Sequence, residues 1–304
     1  MSVISSVTVN VPATTANLGP GFDCIGAALT LCNQFKFTRL DEGGLTIHVT
    51  GAEAERVQTD ESNLLYQAFL KFYQYIDQTP PPVKIEIGLG VPLARGLGSS
   101  ATAIVGGLVA ANQLAGEPLS QVQVMELAIA MEGHPDNVVP ALIGGCRLAA
   151  TSDAGWEICD VPWDKNIVPV VAIPNFELST SEARRVLPTE FSRADAIFNT
   201  AHLGLLLRGL ETGKGEWLRA ALQDKLHQPY RKALIPGYDV VNAAAVAAGA
   251  FGMVISGAGP TLLALADAAH SQAVELAMAS AWKNAGIDAE VRSLALDTQG
   301  ATLL

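Results

Sequence analysis

The run Pro92-Leu93-Ala94-Arg95-Gly96-Leu97-Gly98-Ser99-Ser100-Ala101-Thr102 constrains this chain more than any other segment. Before it, Val83, Ile85, Ile87 and Leu89 alternate with polar or small residues, the period of a strand with one buried face. After it, Ser100 to Leu114 is rich in small apolar residues and reads as a helix. Gly96 and Gly98 let the backbone turn sharply and bring its N–H groups close to a bound anion. Ser99 and Ser100 then open the helix, whose first N–H groups lack intrahelical partners and whose dipole favours negative charge. A strand-to-helix turn of this kind can cradle a triphosphate. Two glycines alone would describe an ordinary turn, and the longer Pro-x-x-x-Gly-Leu-Gly-Ser-Ser-Ala run narrows the reading. Neither GxxxxGK[ST] nor GxGxxG is present, and Lys214 stands in an unrelated Gly-Lys-Gly context.

Charge sharpens the requirement for such a cradle. The net charge is −11, which repels the phosphate backbone of nucleic acid and the surface of anionic membranes. Neither is expected as a partner. An anionic ligand has to be captured locally, by backbone N–H groups or a few placed arginines. The four cysteines, Cys24, Cys32, Cys146 and Cys159, show no CxxC pair and read as reduced, buried thiols. The five histidines form no zinc pattern, so no structural metal is implied. Met1 to Asn10 lacks the basic and apolar regions of a signal peptide, which points to the cytoplasm. The apolar stretch Ala243 to Ala266 carries Pro260 and no basic anchors, and reads as helix, strand, turn and strand rather than a membrane span.

Along the chain, Val7, Val9 and Val11 predict a strand running into a loop from Pro12 to Asp23, and Leu45, Ile47 and Val49 predict another. Helices are expected over Asn63–Ile76, Gln121–Met131 with Ser120 as N-cap, Arg193–Gly209, Trp217–Gln223, Tyr238–Ala248 and His270–Ala285. Further strands fit Gly144–Ala150, Val168–Ile173, Met253–Ile255, Leu262–Leu265 and Ala289–Leu296. Helices and strands mix in both halves, so the class is α+β, with domains expected at 1–162 and 163–304.

Three segments in order carry a resemblance. Pro92 to Thr102 is similar to the ATP-binding motif of the GHMP kinases. Val11 to Asp23 (Val-Pro-Ala-Thr-Thr-Ala-Asn-Leu-Gly-Pro-Gly-Phe-Asp) resembles the first motif of that family in its homoserine-phosphorylating branch, and Ser256-Gly257-Ala258-Gly259-Pro260-Thr261 resembles the third. The resemblance implies an N-terminal ribosomal-protein-S5-like domain followed by a ferredoxin-like α+β domain. It also implies an ATP- and Mg2+-dependent transfer to a hydroxyl group, with homoserine as the substrate in threonine biosynthesis. Relatives of this kind are often homodimers; the sequence itself does not set the oligomeric state.

Site residues follow from the same resemblance. The loop from Pro92 through Thr102, every residue of it, would hold ATP, with Asn63 nearby for adenine or ribose. Glu132-Gly133-His134-Pro135-Asp136-Asn137-Val138, Ser179 to Pro188 and Asp224 to Arg231 resemble substrate segments. By that similarity Asn17, Asp23, His134, Asn137, Arg184 and Arg231 would surround homoserine, and Asn17, Asn137 and Thr180 would take part in transfer. Ser100 and Glu126 would hold Mg2+; eight residues separate Glu126 from His134, so both would face one cleft if the helix persists. Arg95 either reaches a phosphate or points to solvent. Each residue alone has a plainer reading: Asn17 and Asp23 as turn caps, the arginines as surface charges, Glu126 as a helix-surface carboxylate. A related kinase of another small alcohol, or a non-catalytic ATP-binding sensor, are the alternative functions.

Overall fold

Strand β1 (Ser6–Ala16) pairs antiparallel with β2 (Ile25–Arg39) from Ser6↔Thr38 to Ala16↔Gly26. The computed structural model describes residues 5–153 and 155–304. The register shifts between Pro12 and Ala13, a bulge of the kind that lets a strand accommodate proline. The strand therefore continues five residues into the segment expected as loop. β2 itself lies in a segment where the sequence reading placed no element. Its first five residues are all buried, so they show no polar alternation to betray a strand.

β3 (Thr46–Thr50) runs parallel to β4 (Val83–Gly88), and with β11 (Thr302–Leu303) at its far edge the first sheet has the order β11-β1-β2-β4-β3. β5 (Cys146–Ser152) pairs with the start of β2 and with β6 (Gly155–Val161). Four helices cover this sheet: α1 (Leu64–Tyr75), α2 (Ser99–Leu114), α3 (Gln121–Glu132) and α4 (Pro135–Ile143). They enclose one core with Phe37, Phe69, Ile85 and Leu108 inside. Glycines set how closely α2 packs: a Cβ on Gly106 would stand 2.3 Å from the Phe35 ring, and one on Gly107 2.3 Å from Leu65 O. Ser120 caps α3 in a full capping box, as its sequence position predicts, and Asn63, read as the first helical residue, is instead the N-cap of α1.

The second sheet is antiparallel, β10-β7-β9-β8, built from β7 (Ile167–Pro174), β8 (Gly252–Ile255), β9 (Leu262–Asp267) and β10 (Ala289–Ser293). Around it lie α5 (Thr180–Arg185), α6 (Arg193–Thr212), α7 (Gly215–Ala221), α8 (Gln228–Arg231), α9 (Tyr238–Ala247) and α10 (Ser271–Asn284). α9 and α10 enclose a core around Trp282 and Met278. A third core joins the halves, with Leu18, Ile25 and Leu97 packed beside Leu206, Val254 and Leu263. The last strand, β11 (Thr302–Leu303), returns to pair with β1, although the sequence reading groups it with residues 163–304.

The Ala243–Ala266 stretch holds part of α9, then β8, a turn and β9. Among the described residues no helix is long and apolar enough to cross a membrane. Burial of the cysteines is a correction: Cys146 is buried and Cys24 half-buried, while Cys32 and Cys159 are exposed. Both exposed thiols sit on the solvent side of strands whose alternate residues face inward.

Candidate active site

The glycine-rich turn owes its shape to what presses on it. Gly96 and Gly98 have φ of 76° and 68°, conformations that cost little only for glycine. A Cβ on Gly96 would stand 2.3 Å from Ser256 O, and one on Gly98 2.0 Å from Thr14 Oγ1. Hydrogen bonds tie the three glycine-bearing segments together. Thr14 N donates to Leu97 O, Thr261 N to Arg95 O, and Gly257 N to Ala16 O. Ser256 Oγ donates to Gly96 O at 2.7 Å and lies 2.9 Å from Thr15 Oγ1. Gly98 is the N-cap of α2 and supplies no side-chain acceptor. The first N–H groups of the helix are thus left for a ligand.

Those N–H groups face a cavity of about 550 Å3 between the two halves. One wall is apolar, with Phe35, Leu65, Ile87 and Leu89 beside Asn33 and Asn63. The polar part of the lining carries Asp23, His134, Thr180, Arg184 and Arg231. Gly96, Gly98, Ser99 and Ser100 form the floor between them, with Leu93, Ala94 and Arg95 at its edge. Pro92, Leu97, Ala101 and Thr102 belong to the same loop but do not line the cavity. Leu97 and Ala101 are fully buried, and Thr102 Oγ1 donates to Ser99 O and accepts from Asn33 Nδ2. These four support the loop from behind.

Asn17, with φ 72°, donates from Nδ2 to Gly257 O at 2.7 Å and accepts from Asp23 N at 2.9 Å. Its amide pins the first motif to the third. Asn137 Oδ1 accepts from Thr14 Oγ1 at 2.8 Å, and its Nδ2 lies 3.4 Å from Asp136 Oδ1. Asp23 and Arg184 form a bidentate pair, 2.9 Å at each contact. Arg231 is 2% exposed and donates to Ala183 O and Gly257 O, both at 3.0 Å. Burial, and then the Arg184 charge, bring its pKa down to about 10, so it stays cationic at neutral pH. His134 Nδ1 lies 2.7 Å from Asp136 Oδ1, and that hydrogen bond raises the imidazole pKa against the opposing effect of burial. Burial and the nearby Asp136 and Asp23 push the Cys24 thiol up to about 11, which removes it as a nucleophile.

Two expectations change. Glu126 is exposed on α3 and does not line the cavity. The helix ends at Glu132, because Gly133 takes φ 88° as its C-cap and His134 starts α4. Glu132 lies six residues beyond Glu126, about 120° round the helix axis, and its Oε1 accepts from Ser100 Oγ at 2.7 Å. One hydroxyl and one carboxylate beside a phosphate floor fit Mg2+, which takes few protein ligands and completes its shell with phosphate oxygens and water. No cluster of three or more His, Cys, Asp or Glu suited to a metal exists among the described residues. Gly133 was the available signal for Glu132, since glycine so often marks a helix end.

Arg95 touches the edge of the cavity, but its guanidinium is turned to protein acceptors rather than to solvent. It is 7% exposed, with Nε donating to Pro174 O, Nη1 to Leu93 O and Nη2 to Asn175 O. Glu53 and Glu177 lie 3.5 and 3.3 Å from its guanidinium. The side chain clamps the loop to the second half. Asn33, Asp136 and Gly257 also line the cavity; Asp136 and Gly257 sit within segments singled out by the resemblance, whereas nothing in the local sequence marks Asn33.

The fold is that of the GHMP kinases. The family models for the GHMP kinases N terminal domain and GHMP kinases C terminal match residues 63–145 and 206–284. A homoserine kinase of Microchaete diplosiphon is 85% identical over 304 residues, spanning 100% of this chain and 99% of its own. One of Thermosynechococcus vestitus is 58% identical over 97% of this chain and 98% of its own. The crystal structure of homoserine kinase from Cytophaga hutchinsonii superposes with a TM-score of 0.91 at 30% identity, covering 100% of this chain and 99% of that one. The chain belongs to the homoserine kinase family. Mevalonate kinase of L. major, at TM-score 0.73 and 15% identity over 98% of both chains, shares the fold.

Proposed function

We infer that this enzyme transfers the γ-phosphoryl group of ATP to the side-chain hydroxyl of L-homoserine, giving O-phospho-L-homoserine for threonine biosynthesis. One observation carries the reading: the open N–H groups at the start of α2 share a cavity with Asp23, Arg184 and Arg231. A phosphate floor thus meets the charges that an α-amino acid needs. The relatives' names support the same assignment.

Phosphoryl transfer has a loose transition state, so positioning and charge neutralisation supply most of the catalysis. The apolar wall with Asn63 takes the base and ribose, and the Gly96–Ser100 backbone holds the β- and γ-phosphates. Ser100 and Glu132 are the residues to hold Mg2+, which when bound neutralises charge on those phosphates. Arg184 and Arg231 take the substrate carboxylate, Asp23 the ammonium, and Asn17, Asn137 and Thr180 orient the hydroxyl. His134, its ring held by the Asp136 hydrogen bond, lines the acceptor side of the cavity. The attacking oxygen releases its proton to water as its bond to phosphorus forms and the bond to ADP breaks.

We place the enzyme in the cytoplasm, as a homodimer with domains divided near Trp163; light scattering of the purified protein tests the assembly. ADP release in a coupled assay tests the activity. Homoserine should support turnover where mevalonate, galactose and shikimate do not. No ADP with homoserine would end this reading.

A further inference from the structure

Asp23 and Arg184 already satisfy each other on the cavity wall. Two guanidinium nitrogens meet the two carboxylate oxygens at 2.9 Å each, the fork geometry that makes such pairs strong and specific. The pair is partly open to solvent, with its side chains 34% and 40% exposed. Arg231 is placed differently. It is buried, and its Nε and Nη1 bond to the neutral carbonyls of Ala183 and Gly257 rather than to a carboxylate. The Phe22 ring connects the two arginines, its centroid 5.1 Å from Arg231 Cζ and 5.8 Å from Arg184 Cζ.

We propose that the Asp23–Arg184 pair is a selectivity lock, which only a ligand carrying both an ammonium and a carboxylate opens without leaving a charge unpaired. This rests on the reading of the cavity as a hydroxyamino-acid site and adds how that site rejects simpler alcohols. An entering zwitterion gives its carboxylate to Arg184 and Arg231 and its ammonium to Asp23. One internal ion pair is exchanged for two with the ligand. A hydroxy acid lacking the amine has to draw Arg184 away from Asp23, or leave the pair closed and use Arg231 alone. In both cases the Asp23 carboxylate stays beside a second carboxylate, and like charges at that range repel. An amino alcohol lacking the carboxylate takes Asp23 and leaves two guanidinium groups without an anion. Rejection thus comes from a repulsive element as much as from missing contacts. Partial exposure keeps the closed pair weak enough for substrate to open.

Asp23→Asn tests the lock, because it removes the charge while Asn tolerates the φ of 57° found there. In the coupled ADP assay, kcat/KM for homoserine should fall. For 4-hydroxybutyrate, the same molecule without its amine, kcat/KM should rise at least about tenfold above the wild-type enzyme, since Arg184 is released. Asp23→Gly, which also suits that backbone, gives the same readout if the first variant folds poorly. If Asp23 only binds ammonium or only holds its loop, activity on 4-hydroxybutyrate stays level or drops in both variants, and the lock is overturned. Wild-type enzyme that releases no ADP with homoserine overturns the underlying reading instead, so the two failures are separable.

Discussion

Ser100 Oγ donates a 2.7 Å hydrogen bond to Glu132 Oε1, joining the first turn of α2 to the last residue of α3. This contact puts the carboxylate beside the phosphate floor. Glu132→Ala should lower kcat/KM about 100-fold, with partial recovery at raised Mg2+. Glu126→Ala, on the exposed side of the same helix, should stay within about twofold of wild type. Steady-state assays across a Mg2+ series distinguish the two residues; equal losses would return the metal role to Glu126.

The turn tolerates no side chain at Gly96, where a Cβ would meet Ser256 O at 2.3 Å and Gly259 O at 2.8 Å. Both obstacles are backbone, so Gly96→Ala should cost ~1–3 kcal/mol through strain and raise the KM for ATP. Gly204, inside α6, has open space around its Cβ position. Gly204→Ala should stabilise by ~0.5–1 kcal/mol, the helix preference for alanine. Thermal unfolding of both variants checks the contrast.

Arg95 acts as a clamp in this structure. Arg95→Ala strands the buried Pro174 carbonyl and breaks two half-buried hydrogen bonds, to Leu93 O and Asn175 O, and should lower stability by ~1–3 kcal/mol. Arg56 shares the acidic partners Glu53 and Glu177 but is 39% exposed. Arg56→Gln should therefore shift urea unfolding by no more than ~1 kcal/mol. A stable Arg95→Ala enzyme with only a higher KM for ATP would restore the phosphate-contact role.

The two substrate arginines should separate by burial. Arg184→Ala and Arg231→Ala are both expected to raise the KM for homoserine more than that for ATP. Arg231 is 2% exposed and holds Ala183 O and Gly257 O, so its loss should also destabilise by ~1.5–3 kcal/mol. Arg184→Ala should leave stability nearly unchanged. Unaltered homoserine kinetics in both variants would refute their placement.

The pH dependence of stability should carry two opposed histidine contributions. His134 is raised above its usual 6.5, chiefly by the Asp136 hydrogen bond. Its contribution is complete below pH 6.5 and fades as the pH climbs through the raised value. His227 is lowered, first by burial, with Nε2 on Gly19 O. Its unfolded form binds a proton more readily, so its contribution is complete above 6.5 and declines as the pH falls toward the lowered value. Denaturant titrations should show His134→Asn flattening the loss on the alkaline side and His227→Gln flattening it on the acid side. Unchanged profiles would contradict both environments.

Local signals were legible wherever neighbours in sequence settle the structure. The strand of Val83 to Leu89, the cap at Ser120, and the glycines of the phosphate turn all express short-range chemistry. β2 escaped because its buried first half lacks alternation. The α4 helix, carrying Pro135 at its first position and Pro140 within it, escaped because proline argues against a helix interior.

Chain order and residue chemistry by themselves determined an anion cradle and an α+β architecture; the charges suited to an amino acid were named only through the family resemblance. Tertiary structure alone decided which glutamate meets Ser100, that Arg95 faces inward, and that Asp23 pairs with Arg184 across 161 residues. The reason is physical: periodicity and capping depend on the next few residues, whereas each of those contacts depends on which distant segments pack together.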